Sequence, residues 1–157
     1  MSNTLDTFTE ATDLQTGDLL HIKRGTGVNS DKKITRENVR KSLITLSKTI
    51  SVENPSAGED ISFFFTNIAI TIVEIRAVLV GSAGPIINWS VRHSTDRSAV
   101  GTEVVTGGTV TTDTTAGSDV TTFDAPAIAA DSHVWLETTA QGGTVDSIVI
   151  TVFYTED

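Results

Sequence analysis

Ile68-Ala69-Ile70-Thr71-Ile72-Val73-Glu74-Ile75-Arg76-Ala77-Val78-Leu79-Val80, Gly81-Ser82-Ala83-Gly84-Pro85, Ile86, and Ile87-Asn88-Trp89-Ser90-Val91-Arg92-His93 together form the stretch that decides the fold. The last segment alternates with the period of two that a half-buried strand requires. Ile87, Trp89, Val91 and His93 share one face, and Asn88, Ser90 and Arg92 the other. The first segment is a long strand-like run whose character changes at Ile70, Ile72, Glu74 and Arg76. The Gly- and Pro-containing segment between them predicts a turn that closes the first strand.

Outward from this stretch, residues 61–66, 103–105, 109–112, 120–123, 134–138 and 145–154 read as further strands. Gly107-Gly108, Ala116-Gly117-Ser118, Asp124-Ala125-Pro126 and Gln141-Gly142-Gly143 separate them. About eight strands in roughly 100 residues is the spacing of an antiparallel β-sandwich or jelly roll, and no helix is needed after residue 50. Residues 102–122 hold mostly Thr, Gly, Val and Asp. They predict a polar hairpin or loop at an edge, or a surface that faces another subunit.

Composition agrees. The chain has 157 residues, 38% hydrophobic and 20% charged, enough apolar material for one core. Thr, Val, Ile and Gly are abundant, and aromatics make up only 6%. The absence of cysteine excludes disulfides, cysteine-ligated metals and thiol chemistry, so stability must come from packing or assembly. The opening Met1-Ser2-Asn3-Thr4 has no basic or apolar leader, and no run has the length of a membrane span. The expected product is made in the cytoplasm without export and has no membrane partner.

A net charge of −9 argues against nucleic-acid binding, but the charge is unevenly placed. Residues 1–50 carry eight basic and six acidic side chains, a net +2, whereas the remainder carries three arginines against fourteen acids, a net −11. The change falls near residues 51–58, a turn-rich linker, and predicts an arm over 1–50 followed by a β-sandwich domain over 59–157. Within the arm, Leu19-Leu20-His21-Ile22 predicts a brief strand. Thr35 as N-cap, Glu37 in the first turn and Arg40 and Lys41 near the end predict a short helix. Ile34, Val39 and Leu43 give that helix only a narrow apolar stripe, so it needs a surface to pack on. Residues 44–50 alternate as a half-exposed strand or an extended linker would.

Candidate chemistry is sparse. His93 beside Ser94, Asp96 and Arg97 permits a Ser/His/Asp or metal reading, but Ser, Thr and Asp after a strand are also what any turn contains. The acids are scattered without the spacing of a calcium loop, and Gly25-Thr26-Gly27 lacks the residues that complete a phosphate loop. No catalytic residue, metal site or cofactor is therefore assigned. If Val134 and Leu136 face the core, His133 and Trp135 face outward, and these two with Trp89 are the candidates for a subunit interface or ligand surface. The basic residues Lys23, Arg24, Lys32, Lys33, Arg36, Arg40 and Lys41 read either as a solvated surface or as candidates for docking onto an acidic protein lattice, with nucleic acid a secondary alternative.

The segment Leu14-Gln15-Thr16-Gly17-Asp18-Leu19-Leu20-His21-Ile22, the turn at 25–29, Lys32-Lys33-Ile34-Thr35 and the short helix resemble an N-terminal module of tailed-bacteriophage fibre and decoration proteins. Ala130-Asp131-Ser132-His133-Val134-Trp135-Leu136-Glu137-Thr138-Thr139, Gly143-Thr144-Val145 and Phe153-Tyr154-Thr155-Glu156-Asp157 likewise resemble the ends of small β domains in phage virion proteins. The resemblance implies a homotrimer on the virion surface, a decoration, cement or head-fibre protein whose arm binds the major capsid protein. The alternative is a tail-fibre tip recognising a host surface glycan through Trp89 or Trp135. An enzyme, such as a small glycan hydrolase, is the third reading.

Overall fold

The computed structural model describes residues 19–23, 31–35 and 44–157, and the chain forms two compact units, residues 1–43 and 44–157. In the first, β1 (Leu19–Lys23) pairs antiparallel with β2 (Asp31–Thr35), Leu20 opposite Ile34 and His21 opposite Lys33. The expected strand at Leu19–Ile22 is present; its partner β2 holds the Lys32-Lys33-Ile34-Thr35 step, which the sequence does not mark as a strand. The predicted short helix lies, beyond Thr35, outside the described residues.

The second unit is an antiparallel β-sandwich, as the alternation predicts. Its strands are β3 (Leu46–Glu53), β4 (Asp60–Thr66), β5 (Ile70–Ser94), β6 (Thr102–Glu103), β7 (Thr109–Thr111), β8 (Ser118–Val120), β9 (Ala127–Ile128) and β10 (Ser132–Glu156). They form four long lanes. β5 and β10 run antiparallel along their whole lengths, from His133 opposite Ser94 to Glu156 opposite Ile70. β3 and β4 follow one another along the outer edge of β10, and β6 to β9 along the outer edge of β5.

Magnitudes show that this four-lane sheet is folded over on itself. A flat strand of 25 residues spans about 80 Å at roughly 3.3 Å per residue. The links 67–69 and 129–131 nevertheless join opposite ends of the lanes, and segments that short reach at most about 14 Å. Contacts across the closure agree. Phe64 stacks on Tyr154 at 5.9 Å, and Asp124 N–H donates to the Val104 carbonyl at 3.0 Å. The result is two half-sheets. The β3 half holds β3, residues 147–156 and 70–80, β8 and β9; the β4 half holds β4, residues 132–141 and 86–94, β6 and β7.

Each lane has left-handed backbone at the fold line: Asn54 and Gly58, Ala83 and Gly84, Gly117, and Gly143. The β5–β10 register also slips there, between Thr138 and Ala140, Gly142 and Thr144, and Val145 and Ser147, and such bulges bend a ladder without ending it. Gly81–Pro85 therefore corrects the sequence reading. It makes a corner inside one strand, because the facing Gly142 and Gly143 bend with it and pairing continues at Ser82 opposite Thr144. Gly143 is required at this corner: at φ +65° a Cβ on it would lie 2.5 Å from the Gly84 carbonyl oxygen.

Between the halves lies one core. Ile72, Ile75, Ala77, Leu79, Ile148, Ile150 and Val152 enter it from the β3 half, and Ile87, Trp89, Val91, Val134 and Leu136 from the β4 half. Each large side chain buried there contributes roughly 1.5–3 kcal/mol. The residues from 51 to 53, which the sequence places in the linker, are part of β3, and the β unit begins at Ile44. Residues 102–122 are the sheet's outer lane, paired with β5 in pieces of two or three residues rather than as a hairpin.

Candidate functional site

The chemically richest place among the described residues is the solvent side of the β4 half. Alternation puts Arg92 on that side of β5, Glu103 opposite it on β6, and Trp135 opposite it on β10, with Glu137 two residues on. Arg92 donates to Glu103 at 2.7 Å, and its Nε lies 2.6 Å from a Glu137 oxygen. Glu137 also accepts the Trp135 indole N–H at 3.0 Å. The 95–101 loop closes over this array. Arg97 places its guanidinium 4.5 Å from the Trp135 ring centroid and pairs with Asp60 of β4, while Arg92 donates to the Val100 carbonyl at 3.2 Å. Gly101, at φ +71°, passes so near the indole that a Cβ would lie 2.2 Å from it. The loop is shaped by Asp96, whose carboxylate accepts from the backbone and hydroxyl of Ser98 and is held below the usual range by those bonds.

Trp135 thus points away from the core as its parity requires, yet it is only 1% exposed, covered by the loop. Trp89 is equally buried, inside the core, its N–H donating to Thr111 at 2.9 Å. Neither indole offers a face to a sugar ring or a second subunit. His133 is half-buried against Phe65, ring centroids 5.0 Å apart, and of the three aromatic candidates it alone reaches the surface. Trp135 takes the outward face that its parity predicts, but parity shows only which face a residue takes and not that the 95–101 loop covers it.

The Ser94, His93 and Asp96 side chains are not assembled into a triad. The buried His93 Nε2 has no hydrogen-bond partner among the described residues, and burial lowers the His93 pKa below the ordinary histidine value. Ser94 Oγ accepts the Asp96 N–H, and the Asp96 carboxylate is engaged by Ser98. Among the described residues no group of three or more metal-ligating side chains converges. The described residues line surface depressions, two of which are well defined. One, about 250 Å³, is lined by Ile86, Asn88, Val110, Ala140 and Gln141; the other, about 190 Å³, lies at the Phe64–Tyr154 closure.

The candidate docking cations Lys23, Lys32 and Lys33 lie in the β1–β2 hairpin, with Lys23 opposite Asp31, Ile22 opposite Lys32 and His21 opposite Lys33. Arg24, Arg36, Arg40 and Lys41 are outside the described residues. In the β unit, Arg76, Arg92 and Arg97 each meet at least one carboxylate: Arg76 with Asp119 and Glu74, Arg92 with Glu103 and Glu137, Arg97 with Asp60. Apart from Glu74, two residues from Arg76, the partners are far apart in the sequence and are brought together by strand pairing or, for Arg97, by the 95–101 loop.

No family model matches the chain. No curated protein matches it either. Among solved structures it is similar to one of infectious bursal disease virus Gx strain, at 15% identity and a TM-score of 0.36, over 85% of this chain and 36% of that one. It is also similar to one of the Gt strain, at 14% identity and a TM-score of 0.30, over 96% of this chain and 46% of that one. The chain spans less than half the length of either, and neither similarity is deep enough to bring a function with it.

Proposed function

We propose that the protein is a structural component of a virus particle, a homotrimeric capsid decoration or head-fibre protein of a tailed bacteriophage. Its first unit attaches to the major capsid protein and its β-sandwich stabilises or decorates the shell. The observation that carries this reading is the division into two compact units at residues 43 and 44 with charge of opposite sign: seven basic and six acidic side chains before it, four and fourteen after it. A β unit of net −10 is repelled by an acidic shell, whereas the stretch with Lys23, Arg24, Lys32, Lys33, Arg36, Arg40 and Lys41 is drawn to one. The resemblance of residues 14–35 to phage fibre modules supports the same assignment.

The test is attachment. Full chain and a chain beginning at Ile44 are added to particles that lack the protein and sedimented. The full chain is expected to co-sediment. The shortened chain keeps all of β3 and is expected to unfold cooperatively yet stay in the supernatant. Full attachment by the shortened chain would show that the first unit is not the anchor. The glycan-tip alternative gains nothing from the geometry, since both indoles are covered.

A further inference from the structure

The core-facing rows of a sandwich are normally apolar, yet two of them carry a charge at the same open end. On β3 the row Leu46, Lys48, Ile50 and Val52 packs on the core except for Lys48, which is exposed. On β10 the row Ile148, Ile150, Val152 and Tyr154 is buried and continues to Glu156. Lys48 lies opposite Val152, and Val152 and Glu156 are about 13 Å apart along the strand, with Tyr154 between them. Both charged side chains line one depression of about 190 Å³, where Phe64 stacks on Tyr154 at 5.9 Å. The order along it is cation, aromatic pair, anion.

Arg76, Arg92 and Arg97 each meet a carboxylate, whereas Lys48, the fourth cation of the β unit, meets none among the described residues and is not paired with Glu156 across the depression. An inward lysine on an edge strand deters edge pairing, but that role does not account for Glu156, on the inner strand β10. Charge decides the kind of ligand. A bare anion is repelled by Glu156 and by a unit of net −10, and a bare cation meets Lys48 inside the depression. A ligand with both signs, separated by an apolar stem, meets an opposite charge at each end and aromatic rings between them. The depression is smaller than the roughly 300–1,000 Å³ of sites for drug-sized molecules, which suits a short linear ligand. We propose that this end of the sandwich, at Lys48, Tyr154 and Glu156, binds an ω-amino carboxylate, its carboxylate at Lys48 and its ammonium at Glu156. A free ω-amino acid and a polypeptide ending in lysine both present that chemistry. The site is independent of attachment through the first unit.

Isothermal titration calorimetry of the full chain with ε-aminocaproate tests it. Hexanoate and hexylamine keep the stem and lose one charge, and glycine holds its two charges side by side. On the wild type, which needs no variant to fold, ε-aminocaproate is expected to bind at least about tenfold more tightly than either single-charge analogue, and glycine not measurably. Lys48→Met and Glu156→Gln nearly conserve side-chain size and are expected to unfold at the wild-type temperature. Each should weaken ε-aminocaproate binding about tenfold. Lys48→Met should also lose the preference over hexylamine, and Glu156→Gln the preference over hexanoate. A pentapeptide ending in lysine and its C-terminal amide identify the source: tighter binding of the free terminus points to a polypeptide, and equal weak binding of the two to the free acid. No binding of ε-aminocaproate at tens of millimolar, binding no tighter than that of the single-charge analogues or of glycine, or binding unchanged in both variants overturns the inference.

Discussion

The two halves of the sandwich share β5 and β10, yet they solve the problem of their outer faces differently. In the β4 half the alternation is apolar then polar, Ile87-Asn88-Trp89-Ser90-Val91-Arg92, and the polar side is knitted by Arg92, Glu103, Glu137 and the 95–101 loop. In the β3 half the outer side carries valines, a phenylalanine and hydroxyls, with an ion-paired cluster at Arg76 and, apart from it, Glu53, which accepts from Ser51. One strand can therefore be one-sided along part of its length and two-sided along the rest. The corner at residues 81–85 is where it changes.

The largest effect that sharpens this contrast comes from the two tryptophans of the β4 half. Trp89→Ala opens the shared core and removes Thr111's donor, and should cost about 3–5 kcal/mol in urea unfolding. Trp135→Ala empties space beneath a loop that can settle onto the sheet, and should cost about 2 kcal/mol. Equal losses would mean that the loop is as unyielding as the core.

Next is the fold line. Gly143→Ala forces a Cβ to 2.5 Å from a backbone oxygen in left-handed backbone and should cost about 2–3 kcal/mol in thermal unfolding. Gly107→Ala, also left-handed but facing open space, should cost about 1 kcal/mol. If the two match, the corner is not what joins the halves.

The ion pairs should separate the halves directly. Arg92, whose side chain is 17% exposed, leaves two partly buried carboxylates without their cation when replaced by Met, a loss of about 1–2 kcal/mol in chemical denaturation. Arg76→Met, at 48% exposure, should change stability by no more than about 0.5 kcal/mol. The reverse order would break the assignment of the self-sufficient face to the β4 half.

The smallest effect is pH dependence. Burial lowers the His93 pKa, so the unfolded chain takes up the proton first. The stability tied to this group is complete above its unfolded pKa of about 6.5 and declines as pH falls toward the folded value. Melting temperature should therefore drop slightly between pH 7.5 and about 5.5, and His93→Phe should flatten that slope. Asp96, Asp113 and Asp119 are held below the usual carboxylate range, and their contribution is lost only at still lower pH, below about 4. An unaltered slope in His93→Phe would place the titration elsewhere.

Much of this was legible in the chain. The alternation of 87–93 identified the face that carries Trp89 into the core, and the Thr- and Gly-rich composition of 102–122 identified an edge. Strand continuity was not legible: Gly81–Pro85 and Gln141–Gly143 have turn chemistry, and only their facing positions make them one corner. The salt bridges were also hidden, because Arg97 and Asp60 are far apart in sequence and meet on the sheet surface. Trp135 shows the limit most clearly. Its outward parity follows from Val134 and Leu136, while its burial depends on Arg97 and Gly101 arriving from a different connection.

Local periodicity and composition are properties of neighbouring residues, so the sequence by itself determined the β class, the antiparallel strands, the inner-face residues and the division of charge. Which lanes lie side by side, where the sheet folds, and which outer face is closed by its own loop depend on residues brought together across dozens of positions. Hydrogen bonding between strands and packing across the fold line decide them, and those energies exist only once the tertiary structure has formed.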